Sequence, residues 1–322
     1  MSSDSFAVAS GPVSRDSFAA IRRLEPGDLK RCVALSIDRG WSPERSKWSL
    51  LLGACQTFGV DAPDGRGLAG AVVLTRWGPD LASVGMMLVA ARYGRRGLGR
   101  ALMEHVIAEA GHATVTLFAT DLGRPLYELL GFQPVRRNVS FVGAFRPGRA
   151  GARSSAGASA PAVAAWFTRA ATEADLSAIL AVDRAAFGAD RGQIVSRLPG
   201  FADRIAVLAG DSHHAHDPHD GEDPHHGIRG YAAAWRSTPS STVIGPLVAP
   251  GAQAAERLIT DLAAHAHGTI RLDLDPDRSE LPAWASSHGL EPVGRTIVMA
   301  HGDLLDRGTP DHLFTPISVA LA

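Results

Sequence analysis

The sequence predicts a mixed α+β chain of two domains, each a central, mostly antiparallel mixed sheet flanked by helices, arranged as a pseudo-dimer. Three observations lead there. Near the middle, "PGRAGARSSAGASAP" (147–161) is rich in Pro, Gly, Ser and Ala and holds no large apolar residue, so it cannot bury a core and reads as a linker. The segments on its two sides repeat one another in the same order. Within each repeat, strand-like runs alternate with amphipathic helical runs. Residues 1–17 are expected to form a mobile tail, 18–146 the first domain and 162–322 the second.

The repeat is carried by four pieces. "IRRLEPGDLKRCVAL" (21–35) parallels "TRAATEADLSAILAV" (168–182), with Arg22 matching Arg169 and Asp28 matching Asp175. "GLAGAVVLTR" (67–76) parallels "GIRGYAAAWR" (227–236), "MLVA" (87–90) parallels "PLVA" (246–249), and "LGFQPV" (130–135) parallels "HGLEPV" (288–293). Each half opens on a short strand and a capped helix. "GLAGAVVLTR" and "DLASVGMMLVA" then read as adjacent strands joined by a turn over Trp77–Asp80. A helix follows with Leu98, Leu102 and Val106 four apart on one side. "ATVTLFAT" alternates as a strand, and "LGRPLYELL" reads as a short helix stopped by Gly131. "RNVSFVGAF" is expected to close the first domain as its last strand.

Composition narrows the function classes. The chain has 322 residues, 45% of them hydrophobic, which suits two domains with real cores. Lys and Arg (32) balance Asp and Glu (33), so no global charge draws it to nucleic acid or a membrane surface. Two cysteines, Cys32 and Cys55, cannot form a disulfide framework and suit a reducing, cytoplasmic setting. No apolar run is long enough for a membrane span, and "MSSDSFAVASGPVSRDS" lacks the basic and apolar regions of a signal peptide.

The chemistry concentrates in "ARYGRRGLGRALM" (91–103), where a strand runs through a glycine loop into a helix. The first N–H groups of a helix lack partners and carry partial positive charge. Gly94, Gly97 and Gly99 let a phosphate approach that backbone, and Arg95, Arg96 and Arg100 add charge-assisted donors. The loop is neither a P-loop nor GxGxxG, and it comes late in its domain for a dinucleotide site. The diphosphate of coenzyme A is the remaining good candidate.

With "GRRGLG" and the helix end "LYELLGF" (126–132), the first half resembles the Gcn5-related N-acetyltransferase (GNAT) superfamily. Gly94 stands where that family usually has Arg or Gln. The resemblance implies that acetyl-CoA is the cosubstrate. The backbone of Leu88, Val89 and Ala90 would pair with the pantetheine arm, and Arg95, Arg96, Gly97, Leu98, Gly99 and Arg100 would hold the diphosphate. Tyr127 is implied as the acid that protonates the departing thiolate. Thr120 takes the place of a frequent Asn that contacts the pantetheine. No general base is assigned, because only Asp80, at its far end, is acidic on the neighbouring strand.

The second half lacks both marks. "PGAQAAERLI" follows "PLVA", and Ala285 matches Tyr127. It resembles a degenerate acetyltransferase-like domain of tandem superfamily members, on "DRAAFGADR" (183–191), "IGPLVAP" (244–250) and "RTIVMAHGD". Asp183, Arg184, Phe187 and Arg191 are candidates for lining a substrate site between the domains, and Trp41 is a lid candidate in the first half; ion pairing and core packing are their structural alternatives. "DSHHAHDPHDGEDPHHG" (211–227) is a His-rich loop from which no required metal site is expected. The expected activity is direct N-acetyl transfer to a primary amine of a small molecule, by a monomer with pseudo-dimeric domains or a homodimer. A thiol-cofactor (mycothiol-type) biosynthetic acetyltransferase and a non-catalytic acyl-CoA-binding regulator are the alternatives. A metal-binding interaction protein is a third.

Overall fold

The computed structural model describes residues 19–148, 166–210, 227–303 and 307–321. The His-rich loop, except Gly227, most of the expected linker and the whole N-terminal tail lie outside the described residues. The first half runs β1 (Arg22–Arg23), α1 (Leu29–Asp38), α2 (Arg45–Ala54), β2 (Gln56–Asp61), β3 (Leu68–Arg76), β4 (Leu81–Val89), α3 (Leu98–Ala110), β5 (Thr114–Ala119), α4 (Arg124–Leu129) and β6 (Gln133–Gly143). The second half repeats this order, with two short helices where the first half has α2: β7 (Trp166–Ala170), α5 (Leu176–Phe187), α6 (Gly192–Val195), α7 (Leu198–Phe201), β8 (Arg204–Gly210), β9 (Ile228–Thr238), β10 (Ser241–Val248), α8 (Ala252–Ala264), β11 (Thr269–Leu274), α9 (Leu281–Ser287) and β12 (Glu291–His301). A final strand, β13 (Leu313–Thr315), has no counterpart among the described residues of the first half.

The repeat is visible at the level of single bonds. Arg22 donates to both carboxylate oxygens of Asp28 at 2.9 and 2.8 Å, and Arg169 does the same to Asp175 at 2.7 Å. Each aspartate also accepts the backbone N–H three residues before it, a capping arrangement that starts α1 and α5. Gly131 and Gly289 both take φ +88° after α4 and α9, and the next residue donates its N–H to the carbonyl of Tyr127 or Ala285. Helix α3 buries Leu98, Leu102 and Val106 as the spacing predicts. It lies so close to the sheet that a Cβ on Gly70 would be 2.8 Å from Leu102 Cδ1.

One expectation is corrected. β6 does not close the first half: it pairs with β11 and β12 of the second half, while β12 also pairs with β5 of the first. The halves exchange their last strands, giving one continuous sheet in the order β1-β2-β3-β4-β5-β12-β6-β11-β10-β9-β8-β7. Only β4–β5 and β10–β11 are parallel. An exchanged strand satisfies the same backbone groups as an unexchanged one and joins the two cores covalently as well as by packing. On the α2 side, Lys47 is buried against Glu44 (2.5 Å) with its ammonium over Trp235 of the second half, and burial lowers its pKa.

Candidate active site

Each half contains a split in its sheet. β4 pairs with β5 only from Leu81 to Val84, then continues alone on that side to Val89. β10 pairs with β11 only from Ser241 to Ile244, then continues to Val248. A bulge accompanies each split: Val73 pairs with Gly85 and Ala71 with Leu88, while Ala234 pairs with Ile244 and Ala232 with Leu247. The extra residue bends the strand and frees backbone groups that a ligand can use.

In the first half, the free stretch of β4 carries Leu88 and Val89 and leads through Ala90 into the glycine loop. Gly97 caps α3 in the left-handed region, φ +80°. Arg95 has φ +59°; it and Met86 (φ +47°) are the two non-glycine residues with positive φ among the described residues. Such backbone strain gathers at ligand sites. A Cβ on Gly99 would meet Met87 Cε at 2.8 Å, so the helix N-terminus sits hard against the free stretch of β4. Arg96 is partly covered, with its guanidinium over Tyr93 and its Nη1 buried without a hydrogen-bond partner. Arg100 is exposed and paired with Glu104 at 2.6 Å. Arg96, Gly97, Leu98 and Arg100 line a groove of about 560 Å³ with Ile21 and Val60 of the sheet edge.

Thr120 follows the end of β5. Its hydroxyl and carbonyl accept the Gly123 N–H and its carbonyl also accepts that of Arg124, which starts α4. Tyr127 on α4 is 9% exposed and packs on Phe132, and burial pushes its pKa up to about 12. The phenol therefore stays protonated at neutral pH and is a donor.

The second split differs throughout. Its loop is short, Gly251 is extended, and Ala285 is fully buried where Tyr127 stands in the first half. β13 lies in the split, pairing with Leu247 and Val248 of β10, the residues that match Leu88 and Val89.

The substrate candidates divide. Phe187 and Arg191 line a cavity of about 500 Å³ between the halves, together with Thr116, Phe118, Asp273, Asp275 and Thr315. Asp183 does not reach it. At 1% exposure it accepts Nε and Nη2 of Arg191 at 3.1 and 2.5 Å and the Tyr231 hydroxyl at 2.5 Å, so both its oxygens are engaged inside the core. Arg184 is exposed and paired with Asp190, and Trp41 lines neither cavity. Ion pairing, rather than ligand contact, explains Asp183 and Arg184. Two features went unread in the sequence: Gly85 and the chain beyond β12. A glycine inside a strand and the apolar run Leu313, Phe314, Ile317, Val319, Leu321 were the available signals.

Among the described residues, no group of three or more His, Cys, Asp or Glu is placed to hold a metal ion, and no helix is long and apolar enough to cross a membrane.

Comparison with known proteins gives consistent results. The acetyltransferase (GNAT) domain family matches residues 57–134 and, in a second form, residues 179–314. The uncharacterized N-acetyltransferase YitH of Bacillus subtilis is 29% identical over 202 residues, 62% of this chain and 63% of its own length. A putative acetyltransferase from Pyrococcus horikoshii has the same fold over 99% of this chain and 100% of its own, with a TM-score of 0.73 at 17% identity. The tandem GNAT protein of the clavulanic acid biosynthesis pathway covers 89% of this chain and 99% of its own, with a TM-score of 0.59 at 15% identity. With one GNAT domain matched in each half of a repeated, strand-exchanged fold, this chain is a tandem member of the GNAT acetyltransferase family.

Proposed function

We propose that the chain is an acetyl-CoA-dependent N-acetyltransferase acting on a primary amine of a small molecule. The first half, residues 18–146, binds the cosubstrate and carries the chemistry; the second, 162–322, shapes the acceptor site. The observation that carries this reading is the unlike filling of two like splits. The first keeps a free strand edge, a left-handed glycine loop and a phenol, whereas the second has β13 on its strand edge.

The residues fit the cosubstrate. Arg96 has a buried, unpartnered Nη1 beside a helix N-terminus, which suits a diphosphate. The backbone amides of 95–100 bind the same group, with Arg95 and Arg100 adding charge. Leu88, Val89 and Ala90 orient the pantetheine by strand pairing, with Thr120 at the mouth of the split. When bound, acetyl-CoA supplies the acetyl group as an activated thioester. Tyr127 holds its proton at Oη and would donate it to the departing thiolate, which leaves as the thiol. Phe187, Arg191, Asp273 and Asp275 bound the cavity from which an amine is presented, so both reactants are held together and transfer is direct. The buried, unbridged thiols of Cys32 and Cys55 support a cytoplasmic setting.

Calorimetric titration of acetyl-CoA tests the reading. One site per chain is expected. Two sites would overturn the division of labour between the halves, and no binding would overturn the function.

A further inference from the structure

The chain beyond β13 forms a strap between the two splits. At the second split, a Cβ on Gly245 would lie 2.4 Å from the Pro316 carbonyl oxygen and 3.0 Å from that of Ile317. At the first, a Cβ on Gly85 would lie 1.7 Å from the Ala320 carbonyl oxygen. No other residue fits at position 85 while the strap stays in place. The strap is buried: Ile317 is 1% exposed, Ser318 5%, Ala320 7% and Leu321 3%. Ile317, Ala320 and Leu321 share one apolar cluster with Val84, Met86 and Leu88 of β4. A turn fixes its tip, with the Leu321 N–H donating to the Ser318 carbonyl at 2.8 Å and the Ala320 N–H to the Ser318 hydroxyl at 3.2 Å.

The strap lies on the face of β4 away from α3. Gly70 faces Leu98 and Leu102 of α3. Val73, three residues on, points the other way, and Gly85 pairs with Val73. Ser83 shares the Gly85 face and pairs with Thr116, which lines the cavity between the halves. The other end of the strap, Pro316, lines that cavity too, next to Thr315 of β13. The strap therefore runs from the cavity to the point where β4 leaves β5, and every residue of it comes from the second half.

We propose that Pro316–Leu321 is the acceptor-side wall of the first split, the part of the second half that selects which amines reach the thioester. This rests on the function proposed above. Gly85 is the positioning residue, because only a missing Cβ lets the strap backbone touch the strand where the split opens. Pro316 lines the cavity and presents the surface that an acceptor meets, while the buried Ile317 and Leu321 hold the strap in its place.

The test uses Gly85→Ala, which displaces the strap without altering its side chains, and Leu321→Ala, which shortens one side chain. Release of CoA thiol is followed with propylamine, hexylamine, tyramine, glucosamine and spermidine, and acetyl-CoA affinity is measured by calorimetry. The expected result is a change in the ratio of kcat/KM between amines of about tenfold, with acetyl-CoA affinity nearly unchanged. A common factor for all amines, or no change, overturns the wall. If the native chain turns over none of these amines, amide hydrogen exchange at 317–321 is compared with and without acetyl-CoA. Slower exchange in its presence supports the wall, and equal exchange overturns it. A native chain that binds no acetyl-CoA overturns the proposed function first, and the wall with it.

Discussion

Both halves part their central strands after four paired residues, β4 from β5 after Val84 and β10 from β11 after Ile244. Past the parting, the two halves diverge. The first half offers its free edge beside a left-handed glycine loop and a buried phenol, whereas the second covers its edge with β13. A duplicated fold can thus keep its architecture while one copy covers its split with its own chain. A strand edge needs hydrogen-bond partners whichever molecule provides them. The polar cores differ as well. At matching positions of α1 and α5, Ser36 accepts the Trp48 indole N–H at 2.8 Å, while Asp183 holds Arg191 and Tyr231.

The largest expected effect breaks that second contrast. Arg191→Met leaves a buried carboxylate without its cation and should cost about 3–5 kcal/mol of stability. Ser36→Ala in the first half should cost only about 1 kcal/mol. Urea denaturation of both variants measures the difference, and equal losses would mean that the buried ion pair carries no special weight.

The contrast between phenol and alanine comes next. Tyr127→Phe should lower kcat about a hundredfold while acetyl-CoA affinity holds. Ala285→Tyr should add neither activity nor a second binding site. A second site in that variant would show that β13 does not keep the slot filled.

The loop gives a smaller effect. Arg96→Ala should weaken acetyl-CoA binding about tenfold, the loss of one charged hydrogen bond. Arg100→Ala should weaken it less, because Arg100 is exposed and already paired with Glu104. Titrations at two salt concentrations would separate direct bonding from long-range attraction.

The smallest effect probes what the halves share. Arg22 and Arg169 hold the Asp28 and Asp175 carboxyls well below the usual carboxylate range. The folded-state value lies below the unfolded one, so the stabilisation is present at neutral pH. It is lost as pH falls from the ordinary carboxylate range through the depressed value. Arg22→Ala and Arg169→Ala should each move the acid-unfolding midpoint upward by a similar, modest amount. Unequal shifts, followed by circular dichroism against pH, would mean that the two capping arrangements are not equivalent.

Much of this was legible in the residues. Apolar runs joined by a turn marked β3 and β4, alternation marked β5, and the four-residue spacing of Leu98, Leu102 and Val106 marked α3. The matched pairs Arg22–Asp28 and Arg169–Asp175 turned out to be the same ion pair twice. The glycine loop and Tyr127 could be read because local chemistry, a helix N-terminus without Cβ atoms and a phenol on a short helix, is written in adjacent letters. The "DRAAFGADR" segment could be read only halfway. Its charges were evident, but the sequence does not say that Asp183 turns inward to Arg191 while Phe187 faces the cavity.

By itself, then, the sequence determined the duplication, the main strands and helices of the first half, and the arginine-flanked glycine loop at the start of α3. Those depend on periodicity, glycine conformation and charge within a few residues. The tertiary structure alone decided that β6 and β12 change places, that β13 fills the second split, and that the strap reaches Gly85. A strand carries one alternating pattern whichever edge it joins, and a backbone carbonyl against a glycine leaves no side-chain signature. Such choices rest on which distant surfaces meet when the whole chain packs.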